Sequence, residues 1–270
     1  IRPLRETLLE VRGRRQRPAT DDKILADWNG LGLSGLATAG RLLRDEELTH
    51  RARAAADFVL ARMRPESSPL QHAWRAGSAR VPALLSDYAF LIRGLRQLHE
   101  STGENRWKAE ALSLAEEQQE RLGDPIGGYY VAAESEDLPF RSKEIFDGAL
   151  PSGNGIAIQN LRTLAEVTGE ERWLERAGKS IGAFSSLLEH RPEAVKTLVV
   201  AARRYRQTAS RVSEVGSKAP VSGAPFGLQE ESKRTISAEL GVGPAAEEGW
   251  RSFRLELEIA RGWHVNAPFG

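Results

Sequence analysis

Two stretches of this chain, 66 residues apart, read almost the same. Leu95-Arg96-Gln97-Leu98-His99-Glu100-Ser101-Thr102-Gly103 runs on to Trp107, and Leu161-Arg162-Thr163-Leu164-Ala165-Glu166-Val167-Thr168-Gly169 runs on to Trp173. Each is a helix end, a Thr-Gly stop, a short acidic turn and a tryptophan opening the next helix. A weaker copy, Gly40 to His50, stands where an earlier unit would fall. The unit is a repeated αα-hairpin. One hairpin cannot bury its own apolar face, so neighbours must stack.

The composition agrees with a packed helical protein. Of 270 residues, 28% are charged and 40% apolar, which excludes a disordered or collagenous chain. No apolar run approaches the length of a membrane span. There is no cysteine, so disulfides, thiolate zinc sites and thiol redox chemistry are excluded within this segment. The net charge of +1 gives no global attraction to nucleic acid. The excess of 31 Arg over 7 Lys, with many alanines, reads as a high-GC genome more simply than as phosphate recognition. The cluster Arg12 to Arg17 lacks interleaved aromatics and reads as a solvated or acid-paired loop ahead of Pro18.

Leu4, Leu8 and Val11 predict a short amphipathic helix. An apolar period near 3.6 then predicts helices over 24–43, 47–64, 84–101, 105–121, 152–168, 171–189 and 192–205. Short turns alternate with the long gaps 65–83 and 122–151, an arrangement that suits an α/α toroid whose long loops surround a central cavity. Six hairpins close such a ring and about three and a half are visible, so residues 1–205 are expected to form the C-terminal half of a six-hairpin barrel. A chain starting at Ile1, with its single methionine at Met63, is expected to be processed or a fragment. Residues 206–249 read as linker. Phe253 to Ile259 alternates with period two, so 250–270 is expected to open a truncated β domain.

Three motifs could carry chemistry. In Asp21-Asp22-Lys23-Ile24-Leu25-Ala26-Asp27-Trp28-Asn29-Gly30, an aspartate can cap the helix, and Trp28 is either a platform for a flat ligand or core. His72 and Trp74 in a long loop, followed by Asp87-Tyr88 at a helix start, could supply a base, a stacking surface and an acid. Capping is the plain alternative for Asp87, and a structural hydrogen bond for His72. The third, Arg141-Ser142-Lys143-Glu144-Ile145-Phe146-Asp147 with Pro151-Ser152-Gly153-Asn154, concentrates cations, carboxylates and amide in one loop, and Ser152 or Asn154 could simply cap the helix. The spacing defines no metal site, and no phosphate loop, dinucleotide fingerprint or nucleophile elbow occurs. No cofactor is implied.

Asp21–Leu31, Asp87–Leu91 and Asp147–Asn154 together resemble the YyaL family of thioredoxin-domain-containing proteins, the family of spermatogenesis-associated protein 20, over about residues 1–204. The resemblance implies a thioredoxin-like domain upstream and an (α/α)6 barrel similar to N-acylglucosamine 2-epimerase and six-hairpin glycosidases. Leu255 to Asn266 resembles the opening of the N-terminal domain of the DsbD-type thiol:disulfide interchange protein. The family carries over a candidate pocket and no proven reaction.

Three functions stay open. The first is a carbohydrate-active barrel, in which Trp28, Asn29, Trp74, Tyr88, Arg141, Lys143, Ser152 and Asn154 bind substrate. For epimerisation His72 would be the base with Glu144 or Asp147 as partner. For glycoside hydrolysis two of Asp22, Asp87, Glu144 and Asp147 would serve as acid and base. The second is a non-catalytic barrel holding a ligand or client for the thioredoxin-like domain. The third is a structural helical repeat. A sugar or other small molecule and the upstream domain are the expected partners, with no nucleic acid and no membrane span, in the cytoplasm.

Overall fold

The computed structural model describes residues 2–65, 68–215, 236–245 and 251–259. The chain divides into two units, Ile1–Ser217 and Lys218–Gly270. The larger unit is helical: α1 (Arg2–Gly13), α2 (Ala26–Leu43), α3 (Glu46–Met63), α4 (Leu85–Thr102), α5 (Asn105–Leu122), α6 (Gly153–Thr168), α7 (Glu171–Ala183), α8 (Ser185–His190) and α9 (Lys196–Val215). Among the described residues, no helix is long and apolar enough to cross a membrane.

The helices form successive hairpins. α2, α4, α6 and α9 pack in order, each on the next. α3 lies against α2, α5 against α4 and α7 against α6. This is the inner and outer layering of an α/α toroid.

The repeat explains the turns. Gly103 ends α4 at φ 72° and Gly169 ends α6 at φ 74°, a left-handed conformation that favours glycine. In both copies the threonine hydroxyl accepts the N–H of the following glutamate at 3.2 Å, Thr102 from Glu104 and Thr168 from Glu170. In both the tryptophan is buried to 1% exposure and an arginine stacks on its face, Arg106 on Trp107 at 3.6 Å and Arg172 on Trp173 at 4.3 Å. In the weaker copy Arg44 takes the left-handed position at φ 55°, and Asp45 caps α3 through the N–H groups of Glu47 and Leu48.

α2 and α4 approach through glycine. A Cβ on Gly30 would stand 2.6 Å from the backbone nitrogen of Leu91, and one on Gly94 would stand 2.8 Å from the carbonyl of Gly30. The core between layers is built from Leu33, Ala37, Ala56, Val59, Phe90, Leu91, Leu95, Leu98, Ile156, Leu161 and Leu164 with the two tryptophans.

Several expectations need correction. The gap 65–83 is not a plain loop: β2 (Gln71–Arg75) and β3 (Ser78–Pro82) form a hairpin on a two-residue turn, Ala76 at φ 50° and Gly77 at φ 84°. β1 (Ile24–Leu25) pairs antiparallel with β2, so the second predicted helix starts two residues late. The helix expected over 171–189 breaks at Phe184, whose buried ring packs over Gly128. A short 3-10 turn, Pro192–Ala194, precedes α9, which runs ten residues past its expected end at 205.

In the smaller unit Arg251–Ile259 forms a strand, β5. Its antiparallel partner β4 (Ile236–Ala245) falls inside what reads as linker. The tail 260–266 lies outside the described residues.

Candidate functional site

The N-terminal turns of α2 and α4 and the β2 strand meet at one buried carboxylate. Asp87, in the first turn of α4, is fully buried. Its Oδ2 accepts the N–H of Leu84 at 2.7 Å, and its Oδ1 accepts the N–H of Asp27 at 2.9 Å. One side chain thus satisfies free donors at the starts of two inner helices.

His72 completes the cluster. Its Nδ1 stands 3.0 Å from both Asp87 oxygens. Since Asp87 can only accept when ionised, Nδ1 carries the proton, and Nε2 is left without a hydrogen-bond partner among the described residues. The imidazole side chain is 23% exposed, so the ring is partly open to solvent. Hydrogen bonding to Asp87 raises the His72 pKa, against the effect of burial, and the charges of Asp87 and Asp27 add to the rise while Lys23 opposes it. Burial lifts the Asp87 carboxyl above its ordinary range, and His72 and the Leu84 N–H draw it back. Val81 lies between Arg80, which pairs with Ala73, and Pro82, which pairs with Gln71. It is held at φ 68°, a strained position for a β-branched residue, on the strand facing His72.

Asp27, 7% exposed, is the member of this cluster that sequence reasoning missed. A helix-start aspartate reads as a dipole partner, and nothing local announces that it meets His72. Asp27, His72 and Asp87 each offer a ligand atom, all within 4.8 Å of one another. One imidazole with two carboxylates is a donor set for zinc or manganese. Here the Asp87 oxygens are already engaged by two N–H groups and His72, which is the pattern of an oriented proton carrier.

Of the other expected residues, Trp28 follows Asp27 and is 63% exposed. Trp74 packs edge-on against Phe58, centroids 5.3 Å apart. Asn29 donates to the Leu25 carbonyl at 2.8 Å. Asp22 is exposed and ion-paired with Arg75. Tyr88 is buried and donates to Glu117 at 2.5 Å; burial and that carboxylate raise its pKa.

The third motif is a fastening rather than a convergence on His72. Asp147 accepts the N–H of Ser152 at 2.9 Å and the N–H of Thr197 at 2.8 Å, tying the loop to α9. Burial pushes the Asp147 carboxyl up, but the Thr197 hydroxyl and these N–H groups prevail and hold it below its ordinary value. Asn154 is fully buried, accepting from Tyr129 N–H at 2.8 Å and donating to the carbonyls of Tyr129 and Glu144 at 2.9 and 2.8 Å. Ser152 caps α6 through Gly155 N–H. Arg141 donates to the carbonyls of Ala132 and Arg121 and stacks on Tyr130 at 4.0 Å. Lys143 pairs with Asp124 at 2.7 Å and donates to Gly127. Lys143, Tyr130 and the Ile126 N–H bring Asp124 down to about 2. The Glu144 side chain is exposed. These polar groups were expected around a ligand. They serve the backbone because a long irregular segment must satisfy its own buried donors and acceptors.

The fold and its inner-helix face place the chain in the class of α/α toroids that includes sugar epimerases and six-hairpin glycosidases. The GH76 α-mannanase structure from Bacteroides thetaiotaomicron matches with a TM-score of 0.53 at 15% identity, covering 74% of this chain and 56% of that one. Cellobiose 2-epimerase from Bacillus thermoamylovorans matches with a TM-score of 0.51 at 14% identity, covering 62% and 46%. No family model matches the chain. Among sequences, the chain is homologous to spermatogenesis-associated protein 20. It is 35% identical to the Mus musculus protein over 219 residues, 77% of this chain and 28% of that one, and 32% identical to the Homo sapiens protein over 225 residues. It therefore spans less than a third of the length of these curated relatives.

Proposed function

We propose that this barrel binds a sugar or similar polyhydroxylated small molecule and transfers a proton to or from it at His72 Nε2. The observation that carries the reading is the His72–Asp87 pair: a partly exposed imidazole oriented through Nδ1 by a fully buried carboxylate. That is the equipment of a general acid–base. Epimerisation or isomerisation beside a carbonyl needs such a group, and the likeness to epimerase-class barrels is consistent with it as fold analogy. Asp87 is the partner of His72 in place of Glu144 or Asp147. Trp28 offers an exposed ring next to the cluster for stacking on a sugar face.

Glycoside hydrolysis has less support. Asp22 is paired with Arg75, Asp147 is bound to Thr197, and Glu144 is exposed while Asp87 is buried. The expected thioredoxin-like domain upstream, a client-holding role beside it, the DsbD-like tail and a cytoplasmic location belong to this proposal as its wider setting. So do the boundaries near 205 and 249 and a place in carbohydrate metabolism.

The test is hydrogen exchange in D2O. Purified protein with a panel of aldoses, ketoses and reducing disaccharides should give deuterium at the carbon beside the carbonyl, and His72→Asn should abolish it. No exchange and no thermal shift with any sugar would overturn the reading. A thermal shift without exchange would leave the non-catalytic barrel.

A further inference from the structure

The repeat that sets the turns also repeats a charge pattern on the inner helices. Arg96 and Glu100 form an i,i+4 ion pair on α4, and Arg162 and Glu166 form the same pair 66 residues on, on α6. The two helices pack against each other, and α6 packs in turn on α9. Arg162 donates to Thr208 of α9 at 3.3 Å, and Thr208 donates to Glu166 at 2.9 Å. Both arginines are mostly buried, with 17% and 16% of the side chain exposed. The Nε atoms of both are buried without a hydrogen-bond acceptor among the described residues.

One turn above Arg96, on the same face of α4, stands Arg93. Arg93 is half-buried and has neither hydrogen bond nor ion pair among the described residues. The charges that act on it are those of the cations Arg96 and Arg204. Burial and then these two cations hold it below the usual arginine range, and burial does the same to Arg96 in spite of Glu100. Arg93, Arg96 and Arg162, on two helices that pack together, thus share two carboxylates, Glu100 and Glu166. A partly desolvated surplus of cations is costly unless an anion completes it.

We propose that Arg93, Arg96 and Arg162 form a binding site for a small molecule carrying a phosphate or carboxylate group, seated against the inner helices. Guanidinium forks match both groups in shape and donors. A near-neutral chain favours a small anion over a polyanion. The inference does not use the His72–Asp87 pair: proton transfer can fail with anion binding intact, and the reverse.

The experiment is calorimetric titration and thermal melting of the purified protein with inorganic phosphate, glucose 6-phosphate, glucuronate and glucose. Glucose 6-phosphate or glucuronate should bind at least about 10-fold more tightly than glucose, and the phosphate and glucuronate arms tell the two anions apart. Arg93→Gln should weaken anion binding about 10-fold or more. Without ligand it should melt no lower than the parent, because it removes a cation that has no partner. Arg5→Gln, on the exposed face of α1, is the control. Three results would each overturn the proposal: glucose binding as tightly as its phosphate, Arg93→Gln melting lower without ligand, or a folded Arg93→Gln that binds anions unchanged. Displacement of glucose 6-phosphate by a short oligonucleotide at lower concentration would overturn it in favour of a polyanion.

Discussion

At the residue scale Asp87 has three tasks at once. It closes α4, closes α2 and holds His72. Asp87→Asn keeps the shape but leaves one acceptor oxygen where two are used, so an N–H is orphaned in the interior. We expect it to lose about 1–3 kcal/mol of stability in urea. The His72 pKa should fall at the same time, because the hydrogen bond that raises it is weakened; proton NMR titration of the imidazole reads this directly. The pH dependence follows from that shift. A histidine whose folded pKa is raised adds stability that is complete below its unfolded value of 6.5 and is lost as pH rises through the folded value. Melting temperature should therefore decline as pH climbs above 6.5, and His72→Asn should remove that part of the slope. An equal slope in the variant would assign it to other groups.

Half of this was legible in sequence. His72 and Asp87 stand out as residue types near helix starts, but their meeting depends on a hairpin whose Ala-Gly turn lacks the usual Asn-Gly or Asp-Gly signal. Asp27 and Asp124 were silent, since their partners lie 45 and 19 residues away, at His72 and Lys143. The third motif misled in the opposite direction. Its density of polar side chains looked like a ligand shell and serves the loop's own backbone.

At the element scale the seam between α2 and α4 is the most exacting contact. Gly30→Ala would drive a methyl to 2.6 Å from backbone on α4, with no flexible side chain to yield. A loss of about 3 kcal/mol or more is expected, in the range of overpacked cores. Gly32→Ala, two residues along the same helix and with nothing within 4 Å, should instead gain up to about 1 kcal/mol from helix propensity. Chemical denaturation of the pair checks both signs. The helices themselves were readable because their ends carry strong signals, Thr-Gly stops and acidic starts. The break at Phe184 was not, because it answers to the tertiary neighbour Gly128 rather than to a local breaker.

At the scale of the whole molecule, apolar surface remains uncovered. Leu4, Leu8 and Leu9 on α1 are 66%, 61% and 51% exposed, and Leu42 and Leu43 at the end of α2 are 66% and 63% exposed. Exposed apolar stripes of this kind promote association. The chain alone should therefore elute on size exclusion with a concentration-dependent radius, and Leu8→Glu with Leu9→Glu should reduce it. A concentration-independent monomer in both would contradict this.

The two tryptophans also share a flaw. The indole N–H groups of Trp107 and Trp173 are both buried without an acceptor among the described residues. A good turn can be reached independently many times, because stability rewards it. Nothing rewards an orphaned donor, so its recurrence at the same place in both units carries their likeness beyond the turns to a shared defect. The two hairpins thus repeat one packing solution, its imperfection along with its strengths.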